Sequence, residues 1–414
     1  MKSIRPRTDL VALLAFCLIF PGFFIYHFLV GKEYIPGLLG GYSTSMALLM
    51  LPLVANAYYR EITRHRRHPR SVDAAFFAFE VYFACVVLVN IGIGTHMEIA
   101  APLLAIVVQF VVIFMVMALI NPSDVRFKAV VGISFAVLSS IILLNATEGT
   151  FVVAALDLQT SNEKIADYQS YAFVYTIVIL YALFSTRSGW MRWLIYLLAI
   201  PALFLNGART EFIGMLILAL FIEFSISKNK LTILGVTFGL ILFAAGVQDA
   251  LIDLLPDNRV LVLFANSGVD DSTLDRANFL GAGWNTLSDH PLTGEFASYK
   301  LGEYIHNALS AWVDLGIVGF IFYLGLLVVP FLLLVRQLIE GSREPGMLLA
   351  LSLLFLALLF AVTAKHYSHQ MFPAAIGAFA SYLQYSRQAL DMTRRRFTPT
   401  SSILVQTNLK QSRG

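Results

Sequence analysis

Charge is scarce along this chain. Asp, Glu, Lys and Arg together make up 13% of its 414 residues, about half the share usual in soluble domains. Nothing in so thin a supply suggests a nucleic-acid surface, and no nucleic-acid partner is expected. Cysteine is nearly missing as well. Cys17 and Cys85 both fall inside apolar runs, so no disulfide framework or metal spacing can be built from them, and packing is their expected role. What fills the space is hydrocarbon: 58% of the residues are apolar and the mean hydropathy is +0.75. The excess comes in runs of about 17–25 residues, the length that crosses a hydrocarbon core of roughly 30 Å as a helix. Backbone groups find no water inside lipid, so helices are the expected solution. The sequence predicts an all-α polytopic membrane protein with about twelve spans and one large external loop containing short helices.

The first run, Leu10 to Val30, follows Lys2, Arg5 and Arg7. It is too long for a signal peptide and lacks a small-x-small cleavage site, so a retained span is expected. Further spans are expected to start near Tyr34, Ser71, Ala100, Lys128, Ser170, Trp190, Glu211, Leu231, Asn307, Gly346 and Gln370. Lysine and arginine gather at alternate connections, which puts 22 of the 29 basic residues on one side. The positive-inside rule then predicts both termini in the cytoplasm and the long connection outside. In that division residues 1–246 carry nine spans, 247–306 the external loop, 307–388 three spans, and 389–414 a polar cytoplasmic tail that is expected to be disordered beyond Arg396. A transporter made of two six-helix halves would also have twelve spans. The connection between the halves is short here, however, and no internal repeat is visible, so this is the weaker alternative.

The external interval of about sixty residues is the place to look for chemistry. Its predicted helix, Ser272 to Ser288, opens with Asp271 or Ser272 as a cap. A helical wheel gathers Phe279, Leu280, Gly283, Trp284 and Leu287 on one face, and Arg276 points along the middle of that face. A guanidinium there either snorkels to lipid phosphates or meets an anion in a cleft. A second arginine, Arg209, stands in the turn Asn206-Gly207-Ala208-Arg209-Thr210-Glu211, where it could simply pair with Glu211. His306 heads the tenth span and is either a satisfied interfacial residue or a proton acceptor at neutral pH. Asn307, Ser310, Ala311 and Asp314 follow it as a small and polar stripe, and Gly316 and Gly319 permit close helix approach.

Other residues invite weaker expectations. Glu80 lies mid-span among phenylalanines, where carboxylates are costly and often functional, though it could equally be paired across helices. Gln109 and Asn90 suit interhelical hydrogen bonds. Lys365, His366 and His369 lie in the last external turn and could border a site, and Trp190 and Trp193 suit interface anchors. The nearest approach to a metal cluster is Asp270-Asp271, which a helix cap explains better, so no metal and no cofactor are expected.

Taken together, the arginine turn, the late external loop with His290-Pro291-Leu292-Thr293-Gly294, and His306-Asn307 followed by Gly316-Ile317-Val318-Gly319 resemble the O-antigen ligase and polymerase superfamily of bacterial envelope glycosyltransferases. The motifs cover about residues 201–324. Ala208, Thr210 and Glu295 depart from residues common in that family.

The resemblance implies transfer of a glycan from an undecaprenyl-diphosphate-linked donor to an acceptor hydroxyl, at the periplasmic face of the inner membrane. Arg209 and Arg276 would hold the diphosphate and His306 would take the acceptor proton, inverting the anomeric centre. Asn307, Asp314, Glu211, Lys365 and His369 are expected to line the substrate pocket. Polymerisation of a surface polysaccharide repeat is the favoured activity, and ligation of finished polymer to lipid A-core the runner-up. Membrane lipids, a flippase and a chain-length regulator are the partners expected besides donor and acceptor.

Overall fold

The computed structural model describes residues 8–38, 41–64, 71–94, 97–151, 166–186, 188–227, 229–239, 271–300 and 303–397, with Leu242, Gly246, Leu255, Asn258, Val260 and Leu261. Lys2, Arg5, Arg7, Asp270 and the tail beyond residue 397, all named above, lie outside the described residues. The helices are α1 (Leu10–Gly31), α2 (Tyr42–Arg64), α3 (Ser71–Ile93), α4 (Met97–Leu119), α5 (Val125–Asn145), α6 (Tyr168–Ser185), α7 (Gly189–Asn206) and α8 (Arg209–Ile226), followed by α9 (Lys230–Gly239), α10 (Asp271–Asp289), α11 (Leu309–Ile339), α12 (Pro345–Thr363) and α13 (Met371–Phe397). The one sheet among the described residues is a hairpin of two-residue strands, Ala146–Thr147 and Thr150–Phe151.

Eight of these helices (α1, α3, α4, α5, α6, α7, α11 and α12) are long and apolar enough to cross a membrane. Their outer faces carry Ile133, Leu144, Ile339 and Val362 at 66–83% exposure. Leaving such side chains in water forfeits about 1.5–3 kcal/mol each, which hydrocarbon around the bundle would restore. The chain is therefore a multi-pass membrane protein. The second helix begins at Tyr42 rather than near Tyr34, because Gly37 and Gly41 break the apolar run and Gly41 adopts φ +85°.

Helix ends follow the local chemistry. Asp9, Asp124 and Asp167 accept backbone N–H groups at the starts of α1, α5 and α6, satisfying donors that have no partner within the helix. Pro21, inside α1, lacks an N–H, and the helix widens into a π turn over Leu18–Gly22. The hydroxyl of Tyr42 donates to the Leu18 carbonyl at 3.0 Å.

Polar contacts sort the helix ends into two sets. One end of the bundle holds Lys128 against the Ser185 carbonyl, Gln384 against Glu61, Arg343 against the Ser225 carbonyl, and Arg192 in a two-pronged pair with Glu223 at 2.8 and 3.0 Å. The opposite end holds His27 against the Ala166 amide, Gln109 between Thr44 and Gln370, and Lys365 against Gln169. Between them lies an aromatic core in which Phe76 stacks on Phe114 at 4.1 Å and Phe79, Tyr323 and Phe372 interlock. Glu80, 3% exposed, is embedded there with neither carboxyl oxygen hydrogen-bonded.

The Arg192–Glu223 pair, which Tyr196 joins at 3.2 Å, should be the costliest of these contacts to break on one side only. Arg192→Ala strands a buried carboxylate, a loss on the order of 3 kcal/mol. Its thermal unfolding in detergent should fall well below that of the Arg192→Met, Glu223→Leu double variant, and equal midpoints would contradict a paired role.

Candidate functional site

The broken helix α11 organises the second end of the bundle. Gly316 sits inside it at φ +68°, ψ 178°, a conformation that ends one helical segment and starts another. The break frees backbone groups, and three neighbours take them up. The Glu295 amide donates to the Val313 carbonyl at 2.9 Å, Ile317 N–H to the Leu292 carbonyl at 3.0 Å, and the Tyr82 hydroxyl to the Leu315 carbonyl at 2.6 Å. Trp312 Nε1 adds a bond to the Pro291 carbonyl at 2.8 Å. Irregular backbone near a bilayer survives only when protein satisfies it in this way. Gly294, at φ +63°, lies so close that a Cβ would stand 2.2 Å from the Val313 oxygen. The His290–Gly294 and Gly316–Gly319 motifs thus form one docked unit.

Helix α10 leans on this unit. Leu287 is buried with Ile305 and Val313, Leu280 packs beside them, and Gly283 lies against Ile305. Trp284 does not join this face. It is 49% exposed, because it stands some 80° off the Gly283–Leu287 line on the helical wheel. Arg276, half-buried, is one turn nearer the helix start. Its charge acts on both Tyr304 and His306.

His306 is half-buried and rests against Tyr304 at 4.6 Å between ring centroids, with Phe279 at 6.3 Å. Its imidazole is pulled down to about 4, by burial first and then by Arg276, His366 and Lys365; a hydrogen bond to the Ala364 backbone opposes them. His306 is therefore neutral at pH 7 and has a lone pair to offer. Tyr304 is pushed up, by burial and by Asp167, with Arg276 pulling the other way.

Asp314, 2% exposed, is the polar hub beneath. Its Oδ1 accepts the Ala297 amide at 3.0 Å and its Oδ2 the Tyr299 hydroxyl at 2.7 Å, while His366 Nε2 stands 3.4 Å from Oδ2. Burial and this carboxylate push Tyr299 far above the usual phenol range. Lys365, also buried, stands 3.0 Å from Glu211 Oε1 as an ion pair and donates its aligned hydrogen bond to Gln169. Glu211, 1% exposed, lies in the first turn of α8. Arg209 opens that same helix.

The sequence-predicted residues are therefore distributed as follows. Arg276, His306 and Lys365 interact, and Glu211 joins them through Lys365. Arg209 is at the same end, on the first turn that carries Glu211. Asn307 caps α11 by accepting the Leu309 amide at 2.9 Å. Asp314 has both oxygens occupied by protein. His369 has its ring edge-on to Phe173 and Phe360, and its Nδ1 accepts the Met371 amide at 3.2 Å; burial, then Lys365, holds it far below the ordinary imidazole range.

Tyr299 and Gln169 were not foreseen. Tyr299 reaches Asp314 from fifteen residues away and Gln169 reaches Lys365 across 196; neither separation follows a helical period. Tyr304 stood in view, two residues before His306, with no periodicity to mark it.

The arrangement offers a neutral imidazole within the field of a guanidinium at one end of a helix bundle, with a buried lysine–glutamate pair at the same end. It suits removal of a proton next to a bound anion. No protein-family model matches the chain, and no curated protein matches it significantly.

Proposed function

We infer that the protein is a membrane glycosyltransferase of the O-antigen ligase and polymerase type, moving a glycan from a polyprenyl diphosphate to a sugar hydroxyl. One observation carries this: Arg276, thirty residues before His306, is near enough at the same end of the bundle for its charge to act on the imidazole, which is held neutral. The departing lipid diphosphate gathers negative charge, and arginine is a permanent cation with forked donors for phosphate oxygens. Near lipid that attraction exceeds its value in water. His306 takes the acceptor hydroxyl proton, the acceptor oxygen bonds to the anomeric carbon on the face opposite the diphosphate, and the bond to the diphosphate breaks. Arg209, at the positive end of α8, shares the leaving group.

In this proposal α2, α8 and α13 cross the bilayer with the eight apolar helices, and the twelfth span is the one expected to start near Leu231, of which α9 is the described part. The basic end of the bundle faces the cytoplasm and the site the periplasm of the bacterial inner membrane. Asn307, Asp314, Glu211, Lys365 and His369 position the site more than they touch substrate. Polymerisation of a surface polysaccharide repeat is the activity we favour, and ligation of polymer to lipid A-core uses the same chemistry with another acceptor.

A deletion strain distinguishes the two. Loss of a polymerase leaves single repeats, whereas loss of a ligase leaves long chains on the lipid carrier. Surface polysaccharide of normal amount and length in the deletion strain would refute both. Lysine at Arg276 or Arg209 should restore only part of the activity, since a point charge replaces a fork. Full activity from either lysine variant, assayed as polysaccharide on gels, would argue against two-pronged phosphate binding.

A further inference from the structure

His306 accepts a proton in a place ill-suited to keeping it. Arg276 and Lys365 both act on this imidazole, so an added positive charge there is repelled from two sides. A second imidazole, His366, lies against the same tyrosine. The centroids of His306 and His366 stand 4.6 and 4.9 Å from that of Tyr304. Unlike His306, His366 has a buried carboxylate within reach, Asp314 Oδ2 at 3.4 Å from Nε2, with the Tyr299 hydroxyl 3.3 Å from the same nitrogen. On its other nitrogen the Ser368 backbone amide suits the neutral ring, and only the Ser368 hydroxyl can follow a change of protonation state. Nδ1 faces the Ser368 backbone N–H at 3.3 Å and the Ser368 hydroxyl at 2.8 Å. A hydroxyl donates to a bare nitrogen and turns to accept from a protonated one.

We propose that His366, seated on Asp314 and Tyr299, is the proton-holding partner of His306, drawing away the proton that His306 removes from the acceptor hydroxyl. This rests on the glycosyltransferase function inferred above. The hydroxyl proton passes to His306 as the new carbon–oxygen bond forms and the diphosphate departs with its electron pair. The proton then moves to His366, where Asp314 balances the charge, and leaves to solvent before the next turnover. The charged and titratable groups facing His366 are Asp314 from α11, Tyr299, Tyr304 and His306 from the loop, and Lys365 and Tyr367 from its own turn.

The test is the pH dependence of glycan transfer by the full-length protein in phospholipid vesicles, with the polyprenyl-linked donors of a total lipid extract as substrate. A protonated His366 cannot receive, so the wild-type rate falls on the acid side when His366 fills. In His366→Gln that limb is left to His306, so the profile stays flat to lower pH than in wild type. Asp314→Asn should move the wild-type limb to lower pH by about one unit or more. Deuterium exchange at the histidine C2 positions, read by mass spectrometry without substrate, should show the His306 transition rising in His366→Gln because one cationic neighbour is gone. His366→Gln and Asp314→Asn profiles that superimpose on wild type, with His306→Ala inactive, would overturn the relay alone. An active His306→Ala would overturn the function beneath it.

Discussion

His306→Ala should lower glycan transfer by roughly two to four orders of magnitude, the range a positioned general base contributes, while the protein still inserts and folds. The imidazole packs against Tyr304 and is only half-buried, so its removal leaves neither a large cavity nor a stranded charge. Because the group is held neutral down to about pH 4, the loss should be constant across the alkaline plateau, above the acid limb assigned to His366. Arg276→Ala should cost about two to three orders by removing a preorganised cation from the leaving group. The double variant should lose less than the product of the two factors, as expected of groups acting on one bond. Transfer measured in vesicles, with melting temperature as the folding control, decides the matter. A His306→Ala protein within tenfold of wild type would remove the general base from the mechanism.

Gly294→Ala should be the most damaging alanine substitution among the described glycines. The added carbon would lie 2.2 Å from the Val313 oxygen and 2.4 Å from that of Trp312, far inside contact distance, and at a positive φ that costs a further 1–2 kcal/mol or so. The backbone on both sides is fixed, so relief requires the loop to lift. That breaks the bonds from Glu295 N–H to Val313, Ile317 N–H to Leu292, Ala297 N–H to Asp314 and Trp312 to Pro291, each worth about 0.5–1.5 kcal/mol net. Local undocking therefore replaces global unfolding. Hydrogen exchange at Glu295, Ala297 and Ile317 should accelerate sharply in the variant and glycan transfer should disappear. Gly281→Ala is the control, since its added carbon meets no atom within 4 Å, and helix propensity favours it by about 0.5–1 kcal/mol. Unchanged protection in Gly294→Ala would mean that the loop is not held by this seat.

The sequence made the membrane character plain because apolar runs and their spacing are local signals. The helix expected over Ser272 to Ser288 is present as Asp271–Asp289, since cap and amphipathic period both lie within it. Span ends were less legible where polar helices are involved: α2, α8 and α13 are long, but their polar residues hide the limits of the apolar stretch. Glu211 illustrates the harder case. Its nearest cation in sequence is Arg209, yet Lys365, 154 residues further on, stands 3.0 Å from its carboxylate. Long-range pairing of this sort follows from helix packing, which a single sequence does not encode in any period. The role of Asp314 was hidden for the same reason. As part of a polar stripe it suggested a pocket wall, whereas its oxygens hold Ala297 and Tyr299.

The break at Gly316 also sets a depth. From Ile317 to Ile339 the second segment of α11 has 23 residues, a rise of about 34 Å, already enough for a hydrocarbon core of roughly 30 Å. The turns before the break, and with them Asp314 and the His306 imidazole, then ride among the headgroups. Under the proposed function, an acceptor sugar would have to come down to the bilayer surface to react, and a carrier lipid would present its phosphates without leaving its leaflet.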